Sequence, residues 1–192
     1  MKKLSGKMIA LIVVLAVVLI AVIGTISSYN GLVGGREGVE NKLSDIDTQL
    51  QRRSDLVPNL VNTVKGYATH ESQVFKDVSD ARARLAGAGS VAEKAQADQQ
   101  MTGAISRLLM VAESYPDLKA SAQFTQLADE LAGTENRINI ARQDFNAAAK
   151  KYNQKIKSFP GVIFANIFRF ESYDYFKAAE GSEKVPGVDF TK

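Results

Sequence analysis

Residues 124–152, FTQLADELAGTENRINIARQDFNAAAKKY, carry the cleanest periodicity in the chain and decide its fold class. Phe124, Leu127, Leu131, Thr134, Ile138, Ala141, Phe145, Ala148 and Tyr152 succeed one another in strict steps of three and four. Side chains so spaced share one face of an α-helix, and an apolar stripe of this length must be covered by other helices. Extended over residues 118–158, the helix would be about 60 Å long, the proportions of a bundle or coiled coil. Past Ser28 no run of β-branched or aromatic residues alternates cleanly between turn signals, so the predicted fold class is all-α.

Upstream, Tyr115-Pro116-Asp117 marks a boundary, because proline is tolerated in a helix's first turn and poor inside one. A helix is expected over 90–115, with Met101, Ala104, Leu108, Val111 and Tyr115 on its apolar face and Ser90-x-x-Glu93 as a capping box at its start. The Gly87–Ser90 turn precedes it. Before that turn, Val39, Leu43, Ile46, Leu50, Arg53, Val57, Leu60, Val64, Tyr67, Glu71, Val74, Val78, Ala81 and Leu85 fall on one heptad stripe that only Arg53 and Glu71 interrupt. Pro58 leaves two readings. With Ser54 or Asp55 as a cap, the chain turns back there and forms an up-down-up-down four-helix bundle with helices near 30–53, 57–86, 90–115 and 118–158. This is the reading taken. Alternatively Pro58 only kinks one very long helix, and three passes rather than four precede Phe159.

From Met8 to Ile23 every residue is apolar, and Gly24, Thr25 and Ile26 extend the uncharged run to about 19 residues, or roughly 29 Å of helix. This predicts a single transmembrane helix over 8–26, contacting membrane lipid. Lys2, Lys3 and Lys7 with the apolar run also resemble a signal peptide, but the run exceeds the usual h-region and a retained anchor is expected. No cation follows until Arg36, so the positive-inside rule puts residues 1–7 in the cytoplasm and the bundle, residues 27–176, outside it. The tail, 177–192, shows no periodicity and reads as extended.

Charge and composition exclude much. The chain has 192 residues, 24 basic and 21 acidic; without the three N-terminal lysines, 21 of each remain. Its basic character is therefore local to the membrane segment, and no nucleic-acid stripe is expected. With no cysteine and one histidine, disulfides, thiolate metal sites and a single-chain histidine cluster are ruled out, and neither metal nor cofactor is expected.

Several residues invite sharper readings. Gly31, Gly34, Gly35 and Gly38 follow the anchor, but no strand precedes them and no Lys-Ser/Thr pair follows, so a phosphate loop is rejected. Gly31-x-x-x-Gly35 instead permits close helix packing or a flexible joint. His70 lacks a second histidine and reads as structural. Asp45 and Asp47, two apart, face different sides of a helix and read as solvated. Arg53 lies on the apolar stripe, where an unpaired guanidinium is costly to bury, so a helix-end ion pair or a snorkelling side chain is expected, with an inter-subunit contact to Glu71 or another carboxylate as the sharper alternative. Residues 159–176 hold seven of the chain's fifteen aromatics, among them Phe164, Phe168, Phe170, Tyr175 and Phe176. Such a segment must cap its own bundle, enter the membrane interface or join another subunit.

Taken together, these motifs resemble the LemA family. Tyr29-Asn30, Leu32-Val33, Ile46-Asp47, Gln49-Leu50, Arg52-Arg53, Asp55-Leu56-Val57-Pro58-Asn59-Leu60-Val61, Thr63-Val64-Lys65-Gly66-Tyr67, His70-Glu71, Thr134-Glu135-Asn136-Arg137-Ile138, Ala141-Arg142, Phe145-Asn146, Tyr152-Asn153, Phe159-Pro160 and Tyr175-Phe176 carry the resemblance. Asn41-Lys42-Leu43-Ser44 lacks a common Ala-Trp, and Arg169 stands where members often have glycine. The resemblance implies a bacterial protein with an antiparallel helical bundle behind one membrane helix, without an established enzymatic activity. A magnetosome-membrane relative suggests membrane organisation by analogy. The expected function is a non-enzymatic scaffold in the inner cell membrane that forms a homo-oligomer through its bundle and aromatic segment. An adaptor or sensor subunit for another envelope protein, such as a protease or transport component, is the alternative. Gly31, Gly35, Arg53, Glu71, Phe164, Phe168, Phe170, Tyr175 and Phe176 are the candidate interaction residues.

Overall fold

Helix-forming periodicity is realised along nearly the whole of residues 6–177, the part of the chain that the structure, a computed structural model, describes. In chain order the elements are α1 (Gly6–Lys65), α2 (Ser72–Gly87), α3 (Val91–Ala112), the short α4 (Pro116–Lys119), α5 (Ala122–Lys157) and α6 (Gly161–Phe168). No strand occurs among the described residues. Lys2, Lys3 and the tail beyond Lys177 lie outside them.

The expected turn at Pro58 is absent: α1 runs 60 residues through it and ends at Lys65. Proline has no N–H to return to the carbonyl four residues back, so Ser54 O loses its helical donor. Arg82 Nε of α2 donates to Ser54 O at 3.1 Å and replaces it. The chain reverses instead over Gly66–Glu71, where Tyr67 and Ala68 both donate their backbone N–H to Val64 O. The predicted stripe therefore breaks at Tyr67 and Glu71, and α2 buries Phe75, Val78, Ala81 and Leu85.

The turn before α3 is as the sequence indicates. Ser90 Oγ accepts from the Glu93 N–H, and the Glu93 carboxylate accepts from the Ser90 and Gly89 N–H groups. These backbone donors hold the Glu93 carboxyl below its usual range. Pro116 opens α4 at its first turn, and α5 begins at Ala122 rather than 118.

The chain divides into two compact units: Met1–Lys42 with Ala147–Tyr173, and Leu43–Asn146 with Asp174–Lys192. In the first, Leu32, Val39, Ala149, Tyr152, Ile156 and Ala165 are buried. The stripe of α5 passes through Ala149 there rather than the expected Ala148. In the second, the core includes Ile46, Leu50, Val57, Leu60, Val64, Met101, Leu108, Leu118, Ile138 and Phe145. Each large apolar side chain so buried contributes roughly 1.5–3 kcal/mol. By contrast, residues 8–23 expose their apolar side chains, Ile20 to 70%, on a helix long and apolar enough to cross a membrane.

Two backbone details place α6. A Cβ on Gly161 would collide with the Lys155 carbonyl oxygen, so only glycine lets α6 start against the end of α5. Arg169 caps α6 in the left-handed region at φ 55° and ψ 46°. That conformation costs a non-glycine residue about 1–2 kcal/mol. The Phe170 N–H closes the cap on Ala165 O at 2.9 Å.

If Arg82 is the surrogate donor for Ser54 O, Arg82→Met lowers stability by about 1–2 kcal/mol, while Pro58→Ala in that background recovers most of the loss. Urea denaturation followed by circular dichroism reads both. Equal stability of Arg82→Met and the parent chain would refute the assignment.

Candidate functional site

The polar residues of the second unit gather around one carboxylate. Asp98, on α3, is 1% exposed although periodicity alone would place apolar residues around it. Its Oδ1 accepts from Arg53 Nη1 of α1 at 2.8 Å, and its Oδ2 from Arg142 Nη2 of α5 at 2.7 Å. Arg53 Nη1 also reaches Glu135 Oε2 of α5 at 2.6 Å. Burial pushes the Asp98 carboxyl up, while Arg53 and Arg142 pull it down. Both arginine Nε atoms are buried without a hydrogen-bond partner, so all the attraction runs through the terminal nitrogens.

This corrects the expectation for Arg53. It stands mid-helix, 3% exposed, and its carboxylates come from its own chain and do not include Glu71. A guanidinium buried at this position requires partners, and Asp98 and Glu135 supply them from 45 and 82 residues away. Glu71 is the residue before α2, and Tyr115 donates its hydroxyl to Glu71 Oε1 at 3.4 Å. Phe176 is also spent internally: its ring stacks edge-on against Phe145 at 5.3 Å and under Arg142 at 5.2 Å. The Asn146 amide clasps its backbone, accepting from the Phe176 N–H at 2.9 Å and donating to Phe176 O at 2.8 Å. Tyr175 is 43% exposed.

In the first unit, Gly31 and Gly35 do not form a joint; they lie inside α1. Lys155 Nζ donates to Gly31 O at 2.9 Å, and a Cβ on Gly35 would come within 3.1 Å of the Tyr152 ring. Their face is thus taken up by α5. Gly34 and Gly38 have nothing within 4 Å of a notional Cβ and leave an open small-residue face. Tyr29 meets Phe168 and Phe170 edge-on at 4.9 and 5.9 Å, and Arg36 lies 5.9 Å from the Phe170 ring centre. Phe164 is half-buried. Asn153 clasps Tyr173 as Asn146 clasps Phe176, with bonds of 3.0 and 2.8 Å. The Tyr173 hydroxyl donates to Glu40 Oε1 at 3.0 Å; burial first, and Glu40 second, push that phenol up to about 12.

Among the described residues no three His, Asp or Glu side chains converge as a metal shell. Sequence reasoning alone does not single out Asp98, Glu135, Arg142 or the two clasping asparagines as site residues. Only Asn146 and Asn153, seven apart on a helix, carried a signal that could have found them.

Comparison with known proteins gives consistent matches. The profile of the LemA family matches residues 42–190. Magnetosome protein MamQ 2 of Paramagnetospirillum magneticum is 28% identical over 90% of this chain and 73% of its own length. Magnetosome protein MamQ of Magnetospirillum gryphiswaldense is 27% identical over 77% of this chain and 64% of its own. Protein LemA of Metamycoplasma hominis is 26% identical over 79% and 69%.

Two measurements probe the site. Asp98→Ala strands Arg53 on Glu135 alone and is expected to cost about 3–5 kcal/mol in denaturant unfolding, where a loss under about 1 kcal/mol would show the cluster to be incidental. For Tyr173, the folded pKa lies above the ordinary 10.0, so the stability its neutral hydroxyl contributes is whole below about pH 10 and is lost as pH rises through about 12. Alkaline absorbance titration of the parent against Tyr173→Phe should remove a phenol titrating near 12; removal of one titrating near 10 would contradict the burial argument.

Proposed function

The chain belongs to the LemA family, and from that premise we propose that it is a non-enzymatic scaffold, anchored by residues 8–26 and self-associating at the membrane through its bundle and aromatic C-terminal segment. The carrying observation is the apolar stretch of α1, of whose most apolar 18 residues none is buried. Kinship with proteins named as magnetosome proteins supports a place at a membrane. The polar side chains that could have formed a reaction centre, Arg53, Asp98, Glu135 and Arg142, are engaged with one another in closing a core. We read the passes of α1, α2, α3 and α5 in the second unit as an up-down-up-down bundle, reversed at 66–71, 88–90 and 113–121.

The open face at Gly34-x-x-x-Gly38 supports lateral approach of a second α1 just outside the bilayer, since the absent Cβ atoms let two backbones come close. In this reading the N-terminus is cytoplasmic, the anchor sits in the inner membrane, and the bundle stands in the periplasm or outside the cell. The untagged protein, extracted gently and weighed by light scattering with bound detergent subtracted, should be a discrete multimer of this chain alone. A monomer overturns self-association. A species with a different protein at fixed ratio replaces it with the adaptor reading, in which the bundle is presented to an envelope partner.

A further inference from the structure

We propose that α6, with Phe159 ahead of it, is a second membrane contact: a short interfacial foot lying in the headgroup layer of the bilayer that α1 crosses. The inference rests on the anchoring of residues 8–26 but not on self-association.

The helix GVIFANIF contains no charged residue, and a core helix of that composition would be covered. Instead Phe159 is 81% exposed, Ile163 47%, Ile167 64% and Phe168 46%. Ile163 and Ile167 are one turn apart and share a face. Ala165 is buried and Phe164 half-buried, so α6 has an inner side that holds it and an outer side, with Phe159, Ile163 and Ile167, that stays exposed among the described residues.

Position identifies the partner. Phe168 packs edge-on against Tyr29 at 4.9 Å. Tyr29 follows Ile26, after which Ser27 and Ser28 end the apolar stretch, by three positions, a rise of about 4.5 Å along α1. The end of α6 is thus held at the height where the apolar surface of α1 stops, which is the height of the lipid headgroups. Tyrosine is enriched at that level because its ring is apolar and its hydroxyl is not. Charge agrees. Residues 147–170 carry Lys150, Lys151, Lys155, Lys157 and Arg169 and no carboxylate, whereas the rest of the chain beyond the anchor carries 16 basic and 21 acidic side chains. All five are exposed, and cations beside an apolar face match anionic phosphates above acyl chains. A second copy of the chain would have to reach this face where lipid already surrounds α1.

The test uses the absence of cysteine. Single variants Ile163→Cys, Ile167→Cys and Phe159→Cys of the full chain are labelled with a polarity-sensitive nitrobenzoxadiazole dye and reconstituted in phosphatidylcholine–phosphatidylglycerol vesicles. Leu15→Cys reports the anchor and Ser106→Cys an exposed position on α3. Phe159→Cys removes no packing, so it remains informative if either isoleucine variant loses helicity. The expected result is blue-shifted emission at 159, 163 and 167, quenched by nitroxides near the headgroup, with Leu15 quenched by nitroxides deep in the acyl chains and Ser106 by neither. Depths of about 5–10 Å below the phosphates fit an interfacial helix. Water-like, unquenched emission at all three with Leu15 still quenched overturns the foot and leaves the anchor standing. Blue-shifted emission that ignores lipid nitroxides but reddens on dilution with unlabelled chain overturns it in favour of a second copy. An unquenched Leu15 removes the anchoring reading and this one with it.

Discussion

The buried carboxylate of Asp98 is the constraint around which the second unit is organised. Taking an ion from water into a core costs several kcal/mol, and the cost is offset only when partners sit at hydrogen-bond distance. Arg53 and Arg142 meet that condition from α1 and α5 on either oxygen of the same group. Sliding α1 or α3 by a residue would separate Asp98 from Arg53, two ions that are almost wholly buried. Apolar stripes alone tolerate such slips, since one leucine resembles the next. The cluster therefore acts on register, and one residue along α1 the Ser54 carbonyl, freed by Pro58, fastens α2 through Arg82.

The first unit is fitted by removal of side chains instead. Gly35 admits the Tyr152 ring and Gly161 admits the Lys155 carbonyl, each at a distance a methyl group would violate or strain. Close backbone approach leaves no slack for alternative rotamers. It is the economical way to hold a short apolar helix beside a long one, because eight residues bury too little to dock by area alone.

Legibility in the sequence followed the range of the interactions. Features settled within one or two turns were readable: the spacing of α5 up to Phe145, the Ser90–Glu93 box, the proline-led start of α4, and the uncharged run of α1. Pro58 was misread because the donor that rescues its helix lies 28 residues away from the orphaned carbonyl. Arg53 was recognised as out of place on an apolar stripe, but its partners were 45 and 82 residues distant, beyond what periodicity can address. The aromatic segment was legible as surface needing cover. How it would be shared, with Phe176 inward on Phe145 and Ile167 outward, depends on the cap at Arg169 and on two amide clasps with no periodic signature.

Those clasps have a consequence for how the chain can vary. Asn153 and Asn146 each bind both the N–H and the carbonyl of one extended residue, Tyr173 and Phe176, as a neighbouring β-strand would. A carboxamide used in this way recognises main chain, which every amino acid shares. Substitutions at 173 and 176 would forfeit ring packing yet keep both bonds, whereas aspartate in place of either asparagine turns one attraction into a repulsion between oxygens. The clasp thus leaves the strap's side chains to be chosen by the packing of their rings, while the helix beneath must keep its two carboxamides.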